Sequence, residues 1–338
     1  MGSKLSYYYE MYRKMSLLRA TPKIWNYLKY RCLARRATTS IQRYTPQICT
    51  LLLTKRCNLN CGYCNAAKIL HERESESNAS LDKVKHIFAN PLFANCVLVD
   101  LTGGEPLLVK DLNGIVSYLA KRGHITNIIT NGLLLANRVA DLKRAGISRI
   151  NISLYDTNRA VIERNIVKIN RVFPVHMSIV LMRSQVEKQQ VNLLETARFI
   201  RDAGCRSLRF WIYRPMGINP QPEEIISDTL PAYIEFRRRI EDALPDFCLW
   251  PATLQTGRVE KRCPQLWQRI GCDMLGNMTI CCGIDTILQG PNSNLFSSDP
   301  NAIFNNPALV AMREKLLDPK SEPPDVCKTC NLLGEPGW

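Results

Sequence analysis

From Gln47 to Gly217 short apolar runs alternate with stretches whose apolar residues recur every three to four positions. The runs at Ile48–Leu53, Val97–Leu101, Asn127–Thr130, Arg149–Leu154, His176–Met182 and Leu208–Tyr213 have strand length and composition. Between them, Leu81–Ala89, Leu112–Lys121, Ala136–Ala145, Arg159–Arg171 and Val191–Ala203 carry the period of amphipathic helices. Gly123, Gly146 and Gly204 sit just past three of these helices, where a left-handed cap is expected. Regular βα alternation predicts parallel strands with right-handed crossovers. Six units are fewer than the eight of a closed barrel, so the α/β pattern leaves an open sheet or a partial barrel. Asn219-Pro220-Gln221-Pro222 reads as a linker, and one more helix follows at about Ala232–Leu244. Near the start, Thr21-Pro22 reads as the N-cap and first position of a helix to about Ala37. Ile24, Leu28 and Cys32 line one side of it, with Trp25 adjacent. The chain thus divides into a basic helical segment (1–45), the alternating core (46–217), a linker and helix (218–258) and a cysteine-rich tail (259–338).

At 46 % hydrophobic and 22 % charged, the 338 residues exclude a disordered or collagen-like chain and allow a real core. No run approaches the roughly 18 apolar residues of a membrane span. The N-terminus has no apolar core followed by a small-residue cleavage site, so the expected location is the cytoplasm. Forty-five Lys and Arg against 30 Asp and Glu give a net charge of +15, of which residues 1–45 alone carry +9. The basicity is therefore mostly local. It suits contact with an anionic surface or acidic partner, or equally a solvated helix docked on the main domain, and makes no strong case for nucleic acid.

Fourteen Cys in a chain of this length, without an export signal, point to metal ligands or buried thiols rather than a disulfide framework. Cys32, Cys49, Cys96, Cys205 and Cys248 are scattered and read as small buried hydrophobes. Cys57, Cys61 and Cys64 instead follow directly on the first strand as C-x3-C-x2-C. Zinc in a structural site wants four ligands, and no fourth lies at a matching offset. The ferredoxin run has a different spacing. Three Cys on a cubane of four irons would leave one iron open. After the second strand comes Thr102-Gly103-Gly104-Glu105-Pro106. Its glycines let a backbone edge approach a ligand closely, and Glu105 can accept from an ammonium group.

The cluster loop and the GGEP segment together resemble the radical S-adenosylmethionine (SAM) superfamily over about residues 46–217. The resemblance implies a partial (β/α)6 barrel and a 4Fe–4S cluster on Cys57, Cys61 and Cys64. The open iron would chelate SAM through its amino and carboxylate groups. An electron donor such as flavodoxin or ferredoxin is implied with it. Gly103, Gly104 and Glu105 match the part of the family that lines the methionine amino group, and Tyr63 the aromatic packed near the adenine. Ser153 and Arg164 resemble the polar pair aimed at ribose and carboxylate, with Asn131 a further candidate.

In the tail, Cys263-x12-Gly276-x4-Cys281 precedes a late Cys327-x2-Cys330. Gly276 lies in a hairpin-like turn between Gln268–Met274 and Met278–Cys282. By spacing alone this is a zinc ribbon or a cluster site. It resembles the twitch, or shortened SPASM, extension of radical SAM enzymes, which implies one auxiliary 4Fe–4S cluster on Cys263, Cys281, Cys327 and Cys330. Cys282 is an alternative to Cys281 as ligand.

The expected chemistry is hydrogen abstraction by a 5′-deoxyadenosyl radical. A fully ligated auxiliary cluster would take or relay an electron, giving dehydrogenation. A thiol donor, for which Cys272 and Cys248 are candidates, would give epimerisation. Strand parity places Asn151, Ser153, Tyr155, His176, Ser178, Arg209, Trp211 and Tyr213 on the lumen face. That lining suits a polar substrate such as a sugar or aminocyclitol, with His176 a candidate base and Arg209 among the lumen groups. The alternatives are a peptide maturase and, from another class, a zinc and nucleic-acid-binding protein.

Overall fold

A computed structural model describes residues 17–34, 39–62, 64, 78–215, 219–251, 261, 263–281, 287–328, 330 and 333. The first helix, α1 (Leu17–Ala34), leads to β1 (Ile48–Thr54). Then come α2 (Leu81–Ala89), β2 (Leu98–Gly103), α3 (Leu112–Lys121), β3 (Ile125–Thr130), α4 (Val139–Ala145) and β4 (Arg149–Leu154). The alternation continues with α5 (Asp156–Val172), β5 (His176–Leu181), α6 (Gln190–Asp202), β6 (Ser207–Ile212) and α7 (Pro231–Ala243). Strands β1 to β6 lie side by side in chain order, all parallel, as a partial barrel. The expected α/β architecture is the observed one.

The two faces of this sheet differ, and the difference is written in strand parity. In β4, Ile150, Ile152 and Leu154 are buried while Arg149, Asn151 and Ser153 are half-buried. In β6, Leu208, Phe210 and Ile212 alternate with Ser207, Arg209 and Trp211 in the same way. The apolar set packs against the helices, each large side chain contributing on the order of 1.5–3 kcal/mol by leaving water. The polar set lines a lumen that stays partly open. Helix α5 begins three residues earlier than its apolar period suggests. Asn158 Oδ1 accepts from the Tyr155 N–H at 2.7 Å and so caps the first turn.

The cysteine-rich tail does not stand apart from the barrel. Two further strands extend the sheet: β7 (Cys248–Leu249) pairs with β6, and β8 (Arg269–Asp273) pairs parallel with β1 from Ile48↔Arg269 to Leu52↔Asp273. The antiparallel β9 (Met278–Thr279) completes the expected hairpin, with Gly276 at φ 81° in its turn. All seven residues of β1 are buried, so its free edge needs the hydrogen-bonding partner that β8 supplies. Helix α8 (Pro307–Leu317) then carries Arg313 into the interior. Its guanidinium donates to Leu266 O (2.9 Å) and Ser40 O (3.1 Å), tying both ends of the chain together.

The N-terminal helix departs from expectation in two ways. Pro22 is interior rather than first, since α1 already runs at Leu17. The docked face is also different. Ile24 does pack against Ile48, Val97, Leu98 and Ile125, but Leu28 is 46 % and Trp25 61 % exposed, and Cys32 faces solvent. Lys23, Asn26 and Tyr30 are buried instead. Lys23 Nζ donates to Ala94 O (2.9 Å) and Cys96 O (3.0 Å), which compensates the buried ammonium, while burial pulls its pKa down to about 8. One charge of the basic segment is thus an anchor. No helix among the described residues is long and apolar enough to cross a membrane.

Candidate active site

The loop after β1 and the segment after β2 are physically one unit. Gly104 N donates to Thr54 O and Glu105 N to Arg56 O, both at 2.7 Å, so the GGEP backbone is laced to the stem of the cysteine loop. A Cβ on Gly103, whose φ is 128°, would meet Thr54 O at 2.4 Å. One on Gly104 would meet Arg56 O at 2.1 Å. The close approach that requires these glycines is therefore to the stem of Cys57, where the sequence suggested a ligand.

Glu105 ties the same region to β3. Its carboxylate is 1 % exposed and accepts from Thr130 Oγ1 (2.6 Å), Leu107 N (2.9 Å) and Asn131 N (2.8 Å). With these three donors in place it is a strut between the ends of β2 and β3. Burial raises its pKa against the lowering effect of the three bonds. Asn131, held by this strut, reaches Asn58 Oδ1 at 2.7 Å and lies 4.0 Å from Cys57 Sγ.

Cys57, Cys61 and Cys64 lie within electrostatic reach of one another. Cys64 N donates to Cys61 O at 3.0 Å, and Cys57 Sγ accepts from Leu59 N at 3.4 Å. Burial pushes the Cys61 thiol up to about 11, with the Cys64 and Cys57 thiols adding to the rise. Burial likewise raises Cys57. Thiols that penalise one another's ionisation form a donor set that a cationic iron–sulfur centre would relieve, so the residues fit such a group. Tyr155 lies within electrostatic reach of all three and is hydrogen-bonded to the Ser153 side chain, and burial raises its phenol strongly. Ser153 opens onto the lumen one step below.

The tail thiols also converge. The Cys263 pKa is raised by burial and then by Cys330 and Cys281. Cys327 is pushed up to about 12 by burial, with Cys330 and Cys281 adding to it and Arg214 opposing. Cys282 lies outside the described residues, as does Tyr63. Among the described residues no three Cys, His, Asp or Glu side chains are grouped as ligands of a single metal ion.

Several expected site residues are elsewhere. Arg164 is exposed on α5, its Nε donating to Ala160 O one turn back, because Ile162, Ile166 and Ile169 take the face toward the sheet. Cys272 is buried and in register with Leu51, and Cys248 is in register with buried Leu208. In parallel strands registered residues share a face, so both thiols point toward the helices and away from the lumen. His176 does face the lumen but at the first residue of β5, at the opposite end from the cluster loop. Burial, then Arg149, Arg206 and Arg209, pull its pKa down to about 3, which makes it a poor base at neutral pH. Arg209 lies in the lumen with its guanidinium 5.0 Å from the Trp211 ring centroid.

Sequence reasoning missed Asn158. Fully buried, it donates to Asn131 O (2.6 Å) and Ser153 O (2.8 Å), fastening the ends of β3 and β4 together. The signal was an Asn at the third helical position after a strand. Also missed was the pairing of Arg269 with Asp100 (2.6 Å) inside the barrel, which joins residues 169 apart in the chain.

The model of the family described as "Radical SAM superfamily" matches residues 51–230. The GTP 3′,8-cyclase of Aquifex aeolicus (strain VF5) is 31 % identical over 189 residues, which is 51 % of this chain and 58 % of that protein. That of Limosilactobacillus fermentum is 32 % identical over 182 residues, 49 % of this chain and 53 % of that protein. The chain thus spans little more than half the length of these curated relatives. Among solved structures, Streptococcus suis SuiB bound to precursor peptide SuiA superposes with a TM-score of 0.65 at 14 % identity, covering 91 % of this chain and 74 % of SuiB. At that identity the likeness is one of fold.

Proposed function

Because this chain belongs to the radical SAM superfamily, we propose that it abstracts hydrogen from a small polar substrate held in the barrel lumen below the Cys57–Cys64 loop. A 4Fe–4S cluster with SAM, which the family implies, would when bound supply the electron and the 5′-deoxyadenosyl radical for that step. The chain's own residues do the rest. Cys57, Cys61 and Cys64 hold the cluster, and the Gly103–Glu105 segment with Asn131 fixes the loop that carries them. Ser153 and Tyr155 stand between this loop and the lumen and orient SAM. Helices on the outer face exclude water from the sheet.

The observation that carries the reading is the half-buried, polar inner face of β4 and β6, which ends at Tyr155 beside the three thiols. Cys263, Cys281, Cys327 and Cys330 would hold an auxiliary cluster that accepts or relays an electron. Since Cys248 and Cys272 face the helices, an oxidative outcome such as dehydrogenation is favoured over epimerisation by either thiol. A second reading, ring closure on a nucleotide, takes its support from the curated relatives named for GTP cyclisation.

Anaerobically reconstituted protein, with a flavodoxin- or ferredoxin-type donor, tests both parts. Near eight irons per chain with little zinc are expected. Replacing Cys57, Cys61 and Cys64 by Ala should remove about half the iron and all 5′-deoxyadenosine formation. SAM cleavage that survives in this triple variant would sink the proposal.

A further inference from the structure

The end of β6 brings a guanidinium to the tail thiols. Tyr213 N still donates to Leu181 O at 2.9 Å, so the chain leaves the sheet at Arg214, at the same end of the parallel strands as the loop after β1. Gln221 N donates to the Tyr213 hydroxyl at 2.8 Å and Asn219 N to Gly62 O at 3.5 Å, which fasten the stretch after Arg214. From this position an Arg214 NH2 group donates to Val326 O at 3.3 Å. Val326 lies in the helical turn Asp325–Lys328, directly before Cys327. Cys327 N donates to Pro324 O (2.8 Å) and Cys330 N to Cys327 O (3.1 Å), so the Cys327-x2-Cys330 knuckle is a closed turn that the Arg214 bond holds against the end of β6.

Two further observations single out this side chain. Arg214 Nε is buried without a hydrogen-bond partner. A buried N–H left unsatisfied costs free energy, and an acceptor brought within its reach would recover it. Among the groups acting on the Cys327 thiol, Cys330 and Cys281 are thiols and Arg214 is the one cation. The NH2 group thus holds the knuckle by its backbone, while Nε is the buried donor that remains. Once ionised around an iron–sulfur core, four thiolates outweigh its positive charge, and every electron added makes the site more negative. A cation and an N–H donor beside the sulfurs therefore stabilise the reduced state more than the oxidised one, which raises the reduction potential.

We propose that Arg214 serves an auxiliary cluster on Cys263, Cys281, Cys327 and Cys330, its Nε–H donating to a cluster sulfur and its charge favouring the reduced state. Such a site is the better acceptor of the single electron that a substrate radical gives up, with a proton released to water, on forming a double bond. The inference rests on the auxiliary-cluster reading above and deepens it, from four thiols that would hold a cluster to a site poised to take an electron.

The test is an anaerobic redox titration of the reconstituted full chain with dithionite, followed by electron paramagnetic resonance. The signal that changes on adding SAM belongs to the first cluster, and the other to the auxiliary one. Arg214→Gln is expected to lower the auxiliary midpoint by about 59 mV, a tenfold loss in the one-electron reduction equilibrium, and to leave the first midpoint where it was. Arg214→Lys, which keeps the charge but lacks the Nε donor, should fall between Arg214→Gln and the wild type. Iron content and far-UV circular dichroism establish that the variants are folded and loaded. An auxiliary midpoint unchanged in Arg214→Gln overturns the inference. If that variant loses the auxiliary iron, Arg214→Lys carries the measurement, and an unchanged midpoint there overturns it equally. Loss of the auxiliary iron from both variants assigns Arg214 to the fold of the Cys327 turn alone and also overturns it. Wild-type protein with about four irons and a single signal refutes the auxiliary-cluster reading itself, whereas about eight irons with no shift in the variants refutes only the part given to Arg214.

Discussion

Glu105→Gln separates a structural from a ligand role for the acid of the GGEP segment. In the folded chain Oε2 accepts from Asn131 N, and Oε1 from Leu107 N and Thr130 Oγ1. An amide must put its NH2 on one of these two sides. Facing Asn131 it opposes a backbone N–H; turned the other way it opposes the N–H of Leu107. Either orientation loses one charge-assisted bond and leaves a buried donor unsatisfied, a cost of about 2–3 kcal/mol. With an unfolding entropy of about 2 cal/mol/K per residue, the 338-residue chain changes by about 0.7 kcal/mol per degree, so Tm should fall by about 3–4 °C. The same change frees Asn131 from its strut, and through Asn58 loosens the loop of Cys57. Less iron retained on the first cluster is therefore expected alongside the lower Tm. Thermal melts followed by circular dichroism, with iron counted per chain, measure both. An unchanged Tm with full iron content and weakened SAM binding would refute the strut and restore Glu105 as a ligand for the ammonium.

Other predictions rest on single contacts. Gly104→Ala forces a Cβ to within 2.1 Å of Arg56 O, a backbone atom that cannot swing aside, and should cost the first cluster its iron while far-UV circular dichroism is largely kept. His124 and His176 both have pKa values lowered to about 3, chiefly by burial, so the folded state refuses protons that the unfolded state accepts below about 6.5. Their contribution to stability is complete above pH 6.5 and is lost as pH falls toward 3, at about 1.4 kcal/mol per pH unit for each. His176→Asn should flatten that slope by one such increment in denaturant titrations. Cys272→Ala and Cys248→Ala should leave the identity of the product unchanged by mass spectrometry, because neither thiol faces the lumen.

Strand parity, helix period and the cysteine spacings are properties of neighbouring residues, and these were legible along the chain. Helices α2 and α3 and strand β4 begin and end where their apolar patterns do. Cys57, Cys61 and Cys64 could be grouped without coordinates because a loop of eight residues has little freedom to separate them. What depended on distance in sequence could not be read this way. Arg164 matched a motif, yet the helix turns it outward. Lys23 counted toward a basic surface, yet it is buried on the carbonyls of Ala94 and Cys96. Gly103 and Gly104 announced a close approach without revealing that its partner is the backbone of Thr54–Arg56.

Asp100 and Arg269 lie on different strands, 169 residues apart in the chain, and only the register of the assembled sheet brings their charges together. The sequence by itself determined an α/β chain with a three-thiol site at a strand end, because local hydrophobic period and short loops suffice for that. The tertiary structure alone decided that Arg269 meets Asp100 inside the barrel. Charge neutralisation depends on side chains brought together across the sheet, and no local pattern encodes that pairing.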